Sequence, residues 1–307
     1  MFLAIRGAVT AGLILLSCLA PSEVTARTAR QPPLGEEVRY PSDPGTMLAG
    51  TLEKPPALRS RPLPVVVIIS GTGPWKRGGW VNMRARLHAA GIATLMYDKR
   101  GQGRSTGTFI DTIPAMERDV AAAIAFLRKR PDIDSRRIAL MGISQGAVAA
   151  PLVASRDPAI AAVVMLSGPV GPRGELFLGI LRGHLSSAGK NAQQIARVTG
   201  AVAAWMEARS RSAGPSETRP LRAATVGAFV EVGFPPTQAE EFVVSLDNDV
   251  VLSMFEVAPD RALAALRAPA LAIYGSKDDV IAPALSIEAA TAAFSDNPDA
   301  LSSRFRG

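Results

Sequence analysis

The sequence predicts an α/β fold: a mainly parallel central sheet with helices on both faces, and a helical cap inserted between two strands. Three observations carry that expectation. Short apolar runs rich in Val, Ile and Leu alternate with helical patterns along most of the chain. Gly-containing turns follow the carboxyl ends of several runs. From residue 168 to about 260 the alternation gives way to helix-like stretches with few strand runs.

The elements follow in order. Residues 31–64 are Pro-rich, with an early strand expected at 47–52. Residues 65–69 are apolar and β-branched without interruption, the pattern of a strand covered on both faces. Residues 81–90 have helical spacing and stop at Gly91. A second apolar run occupies 92–97, and 115–130 form an amphipathic helix with Val120, Ile124 and Leu127 on one face, stopped by Pro131. A strand at 137–143, a helix at 145–154 and a strand at 160–166 continue the series, which implies right-handed crossovers. Within the helical stretch 192–208 and 236–246 are the clearest segments. Residues 270–274 return to a buried-strand pattern and 284–295 supply a helix, whereas 300–307 do not read as a buried strand. The expected organisation is a leader at 1–26, a core at 27–167, a cap at 168–262 and the rest of the core at 263–307.

Composition bounds the function. The 307 residues carry a net charge of +7, but arginine supplies most of it and is scattered among acids. No block of like charge appears, so no nucleic-acid partner is expected. A single Cys makes neither an internal disulfide nor a Cys-based zinc site, and two histidines leave little room for a His-rich one. No metal or organic cofactor is expected.

The N-terminus looks like an export signal. Arg6 precedes an uncharged, largely apolar run at 8–20, which is shorter than the about 20 residues a membrane span needs. Val24, Thr25 and Ala26 offer a cleavage site, giving a periplasmic or secreted protein without a stable membrane span. A second reading takes Leu15-Leu16-Ser17-Cys18 as a lipoprotein signal with Cys18 lipidated.

The chemistry sits at strand ends. Gly142-Ile143-Ser144-Gln145-Gly146 lies between a strand and an Ala-rich helix. In that setting Ser144 is the candidate nucleophile, exposed on a sharp turn at a helix N-terminus; a plain turn serine is the bland reading. Such a nucleophile needs two N–H donors for an oxyanion. Gln145 supplies one, and Thr72 in Ser70-Gly71-Thr72-Gly73-Pro74 supplies the other, unless that segment is a simple Gly-Pro turn. The turn lacks the Gly-Lys-Ser/Thr of a phosphate loop. Asp98 to Ser105 combine charge and glycine but offer no obvious nucleophile; Asp98 and Arg100 are read as shaping their loop, for instance by pairing, rather than as catalysts. Gly275-Ser276-Lys277-Asp278-Asp279 follows the last buried strand and offers Asp278, ahead of Asp279, as the acid that orients a base.

These four motifs, in this order, resemble the α/β-hydrolase superfamily, particularly its exported esterase-like and acyl-peptidase-like serine hydrolases. The resemblance covers residues 48–284, with the cap matching weakly. It implies Ser144 as nucleophile, Asp278 as triad acid, and a small-molecule ester or acyl substrate released from an acyl-enzyme by water. The family order is Ser, acid, His, the base following one more helix and strand. No histidine follows Asp278; the two present are His88 and His184. Two expectations stand side by side. One is a carboxylic ester hydrolase, with an acyl-peptidase as its enzymatic rival, whose sequence is incomplete at the C-terminal end. The other is a catalytically impaired relative with a binding or non-enzymatic role. Trp205, Phe229, Phe234 and Phe242 fit an acyl pocket or the core of the helical stretch.

Overall fold

The computed structural model describes residues 35–55, 62–278, 281 and 283–305. The expected leader at 1–26, with Arg6 and Cys18, lies outside the described residues, as does Asp279.

Among the described residues eight strands form one sheet: β1 (Gly35–Pro41), β2 (Met47–Glu53), β3 (Leu63–Ile69), β4 (Ala93–Tyr97), β5 (Ile133–Ile143), β6 (Ala162–Leu166), β7 (Ala270–Gly275) and β8 (Ala300–Phe305). Their spatial order is β1-β2-β4-β3-β5-β6-β7-β8. β1 and β2 pair antiparallel, as do β2 and β4. All later neighbours are parallel, with Val67 opposite Leu95 and Leu140, and Leu140 opposite Val163. The helices packed on this sheet are α1 (Val81–Ala89), α2 (Ile113–Arg128) and α3 (Gln145–Ala154), followed after a long insertion by α9 (Pro259–Ala264) and α10 (Pro283–Ala293).

The unbroken apolar run of β3 has a direct cause. Val65, Val67 and Ile69 join a cluster that includes Val120, Ile124 and Leu127 of α2 and Ala147, Ala150 and Val153 of α3. Their neighbours Val66 and Ile68 point the other way and pack with Met96, Met141 and, from α1, Met83 and Leu87. A strand covered on both faces has no polar face to display. α2 starts at Thr112, whose side chain accepts the Ala115 N–H, and carries Pro114 in its first turn, where a missing N–H costs nothing.

Two strands differ from the sequence expectation. β1 was not anticipated: it sits at the sheet edge, burying only Val38 and Tyr40, so its apolar signal is two residues on one face. Residues 300–305 do form a strand, against the reading of that segment as non-strand. β8 pairs parallel with β7 at the opposite edge, Ala270 facing Ala300 and Ile273 facing Ser303. Backbone pairing holds it, and Leu301 stays 61% exposed, so no buried-strand pattern exists to be read.

A charged cluster ties the early chain to β5. Arg130 donates to both carboxylate oxygens of Glu36, at 2.7 Å each, and to Asp132 at 2.8 and 2.9 Å, while Lys54 reaches Asp132 at 2.7 Å. The Arg130 hydrogen bonds hold Asp132 and Glu36 below the usual carboxylate range. A depressed folded pKa adds stability that is present above the unfolded value, about 4, and is lost as pH falls through the folded value. Asp132→Asn is expected to cost about 1 kcal/mol at neutral pH and to flatten the acid limb of a melting-temperature profile below pH about 4; thermal melts across pH check both.

The described residues divide into two units by contacts, Pro172–Ala258 and the remainder. The first is all helical: α4 (Glu175–Ser187), α5 (Ala192–Ser210), α6 (Pro215–Glu231), α7 (Pro236–Leu246) and α8 (Asp249–Glu256). Its limits differ by a few residues from the expected 168 and 262. Residues 168–171 go with the sheet because Tyr274 Oη donates to the Gly168 carbonyl at 2.9 Å and a Cβ on Gly168 would meet Ala147 Cβ at 2.6 Å. Within the helical unit Trp205 and Phe229 are buried together, and the Phe229 ring lies 5.5 Å from Phe234 and 4.8 Å from Phe242. Those four aromatics are core of this unit. α5 opens on a capping box between Asn191 and Gln194. Among the described residues no helix is long and apolar enough to cross a membrane.

Candidate active site

Ser144 occupies the turn from β5 into α3 with φ 53° and ψ −119°, a conformation that costs a non-glycine residue about 1–3 kcal/mol. The flanking glycines explain how the turn closes. A Cβ on Gly142 would lie 2.0 Å from the Gly146 carbonyl oxygen, and a Cβ on Gly146 would lie 2.3 Å from the Ile69 carbonyl oxygen. β3, β5 and α3 thus meet at a distance only backbone without side chains permits. The Ser144 N–H donates to Leu166 O at 2.9 Å, anchoring the elbow to β6. α3 is buried along its whole length, and its N-terminus directs partial positive charge at the half-buried Ser144.

The turn after β3 lies against this elbow. A Cβ on Gly71 would stand 3.2 Å from Ser144 Cβ and 3.7 Å from its Oγ. The polar groups of the turn are pinned one by one. Gly71 O accepts Lys99 Nζ at 2.5 Å, Thr72 O accepts Trp75 Nε1 at 2.7 Å, and Gly73 O accepts the Trp75 N–H at 2.9 Å. The Gly73 N–H donates to Asp111 Oδ2 at 2.7 Å. Among the described residues the Thr72 N–H has no acceptor, and neither has the Gln145 N–H at the start of α3. Two unclaimed donors beside a strained hydroxyl form a site suited to a developing oxyanion.

Lys99 and Asp111 were not singled out from the sequence, yet they form a buried ion pair under this turn. Burial pushes the Asp111 carboxyl up and the Lys99 ammonium down, against their mutual attraction. The Asp111 carbonyl also accepts Gln145 Nε2 at 2.7 Å, while Gln145 Oε1 is buried without a partner among the described residues. Removing one member of such a pair alone typically costs about 3–5 kcal/mol. The only sequence signal was Lys99 at the end of an apolar strand. Asp111, just before a helix, looks like any cap residue.

The neighbouring loop corrects one expectation. Asp98 and Arg100 do not pair with each other. Asp98 accepts the N–H groups of Arg77 at 2.8 Å and Arg104 at 2.9 Å, and its carboxylate fills the place a Gly103 Cβ would take. Arg100 is buried and donates to Asp119 at 2.7 and 3.0 Å and to Asp43 at 2.7 Å. Each side chain is taken up by other partners: backbone N–H groups of the surrounding loops for Asp98, and the carboxylates of Asp43 and Asp119 for Arg100.

Asp278 stands past the end of β7, at the same carboxyl edge as Ser144. β6 separates β5 from β7, which puts the two strand ends about 10 Å apart. The Asp278 carboxylate accepts the Ile281 N–H at 3.0 Å and its own N–H donates to Gly275 O at 3.2 Å. His88 lies elsewhere: on α1, bonded to Thr94 Oγ1 at 3.0 Å near the start of β4, at the opposite end of the parallel strands. His184 belongs to α4 of the helical unit.

The strand order, the glycine-flanked serine elbow and the donor turn beside it define an α/β-hydrolase-fold serine hydrolase. A model of the X-Pro dipeptidyl-peptidase (S15) family matches residues 44–216, and the chain belongs to that family. A curated thiohydrolase, apmlB of Arthrinium phaeospermum, is 45% identical over 80 residues, which is 25% of this chain. The matched segment spans 26% of the length of that relative. Solved structures share the fold. A Pseudomonas aeruginosa hypothetical protein aligns at TM-score 0.57 and 16% identity over 92% of this chain and 91% of its own. A Pyrococcus furiosus esterase aligns at 0.54 and 16% over 89% and 81%. Est1E of Butyrivibrio proteoclasticus with bound ferulic acid aligns at 0.53 and 18% over 88% and 89%.

Proposed function

We propose that the chain cleaves small carboxylic esters through an acyl-enzyme on Ser144. The observation that carries this reading is the elbow itself: a serine held at φ 53° by two glycines that admit no side chain, with Gly71 packed against its Cβ. In this reading Ser144 Oγ attacks the acyl carbon, its proton passing through solvent to the departing alkoxide oxygen, and the Thr72 and Gln145 N–H groups receive the oxyanion. The alcohol leaves, and water then attacks the acyl-enzyme, releasing the acid and restoring Ser144. Asp278 serves as the triad acid, at the strand end two positions along the sheet. The thiohydrolase match and the esterases of the same fold support acyl transfer to water as the chemistry. The S15 family description makes amide cleavage the enzymatic alternative. The proposal includes export, with a mature chain beginning near residue 27, which N-terminal sequencing of protein recovered outside the cytoplasm would check.

The test compares p-nitrophenyl acetate with an X-Pro-p-nitroanilide, using the chain and its Ser144→Ala variant. Ester turnover that depends on Ser144 and exceeds anilide turnover is the expected result. Equal ester turnover by both proteins, or a preference for the anilide, overturns the reading.

A further inference from the structure

The inference rests on the hydrolase reading above. We propose that Lys99 and Asp111 are positioning residues for acyl transfer, fixing the distance between the Thr72 and Gln145 N–H groups. The geometry is a clamp closed around Thr72. Lys99 Nζ holds the carbonyl of Gly71, on one side of Thr72, at 2.5 Å. Asp111 Oδ2 holds the N–H of Gly73, on the other side, at 2.7 Å. Lys99 and Asp111 bind each other through Asp111 Oδ1, so the two grips are one unit. The same Asp111 offers its backbone carbonyl to Gln145 Nε2 at 2.7 Å, tying in the residue whose N–H is the second donor. One buried pair therefore touches both halves of the candidate oxyanion site.

Oxyanion donors act on a group that exists only during the reaction, so loosening them lowers kcat and leaves KM nearly unchanged. The decisive variant is the double Lys99→Met, Asp111→Leu. Replacing both members of a buried pair with apolar residues of similar volume commonly keeps the fold stable, whereas either single change leaves a buried charge unpaired. The double variant is expected to melt near the parent while kcat for p-nitrophenyl acetate falls about 100-fold, with KM within about threefold. Its affinity for a trifluoromethyl ketone, whose hemiketal oxygen would occupy the oxyanion position, is expected to fall in parallel. A double variant with parental melting temperature and kcat within about twofold of the parent overturns the proposal, since a purely structural pair would lose nothing once stability returned. Should the double variant fail to fold, Asp111→Asn assayed well below its own melting temperature decides. A kcat loss of about tenfold or more supports the clamp, and a kcat within about twofold overturns it. Ser144→Ala runs alongside: undiminished turnover there sinks the hydrolase reading itself, whereas a dead Ser144→Ala beside a fully active clamp variant sinks only this inference.

Discussion

Ser144→Ala is expected to reduce ester turnover by about 100-fold or more while the protein stays folded. The change removes one oxygen and with it the atom that would carry the acyl group. The Thr72 and Gln145 N–H groups remain, so water attack on a bound ester retains part of its stabilisation, and the loss stops short of the full rate enhancement. Alanine keeps the unfavourable φ of 53°, so stability changes little. Ser144→Gly separates the two properties. Glycine relieves the strain, and a melting temperature higher than that of the parent, by the equivalent of about 1 kcal/mol, is expected together with the same loss of turnover. Calorimetry of the three proteins beside their steady-state rates checks both statements. A fold that selected this position for stability would not hold a serine there.

Gly142→Ala and Gly146→Ala are expected to destabilise the fold by about 3 kcal/mol or more each and to abolish turnover. The new methyl of the first would overlap the Gly146 carbonyl at 2.0 Å, and that of the second would overlap the Ile69 carbonyl at 2.3 Å. Both obstacles are backbone, one in the first turn of α3 and the other at the end of β3, so no side chain can swing aside. Relief requires α3 to move away from β3 and β5, which carries Ser144 and the Gln145 N–H away from Gly71. The same substitution at Gly200, inside α5 with nothing within 4 Å of the added methyl, is expected to stabilise by about 1 kcal/mol. Denaturant unfolding of the three variants checks the signs: a loss at Gly200 equal to those at the elbow would mean that local crowding is not the cause.

The central architecture was legible because its physics is local. A strand covered on both faces must be apolar throughout, so β3, β4 and β7 stand out, and a tight strand-to-helix turn must be flanked by glycine, which marks residues 142–146. What escaped the sequence was held by partners far along the chain. β1 and β8 are edge strands whose existence depends on backbone pairing with a single neighbour. The Lys99–Asp111 pair is a buried contact between two loops, and neither residue type announces burial. Asp98 and Arg100 do not pair for a similar reason: each is claimed by groups distant in sequence, Asp98 by the Arg77 N–H and Arg100 by Asp43 and Asp119. The four aromatics of the helical unit show the converse, since apolar spacing alone does not tell a ligand pocket from a packed core.

Ester cleavage as proposed requires Ser144 Oγ to accept the acyl group. Its most direct test is covalent labelling of the folded chain with a fluorophosphonate, with imidazole in the buffer so that the outcome does not depend on which group takes the serine proton. The adduct is then located by peptide mass spectrometry. A single adduct on the peptide containing Ser144, absent from Ser144→Ala, is the expected result. An adduct on another residue, or a folded protein that takes no label, would contradict it.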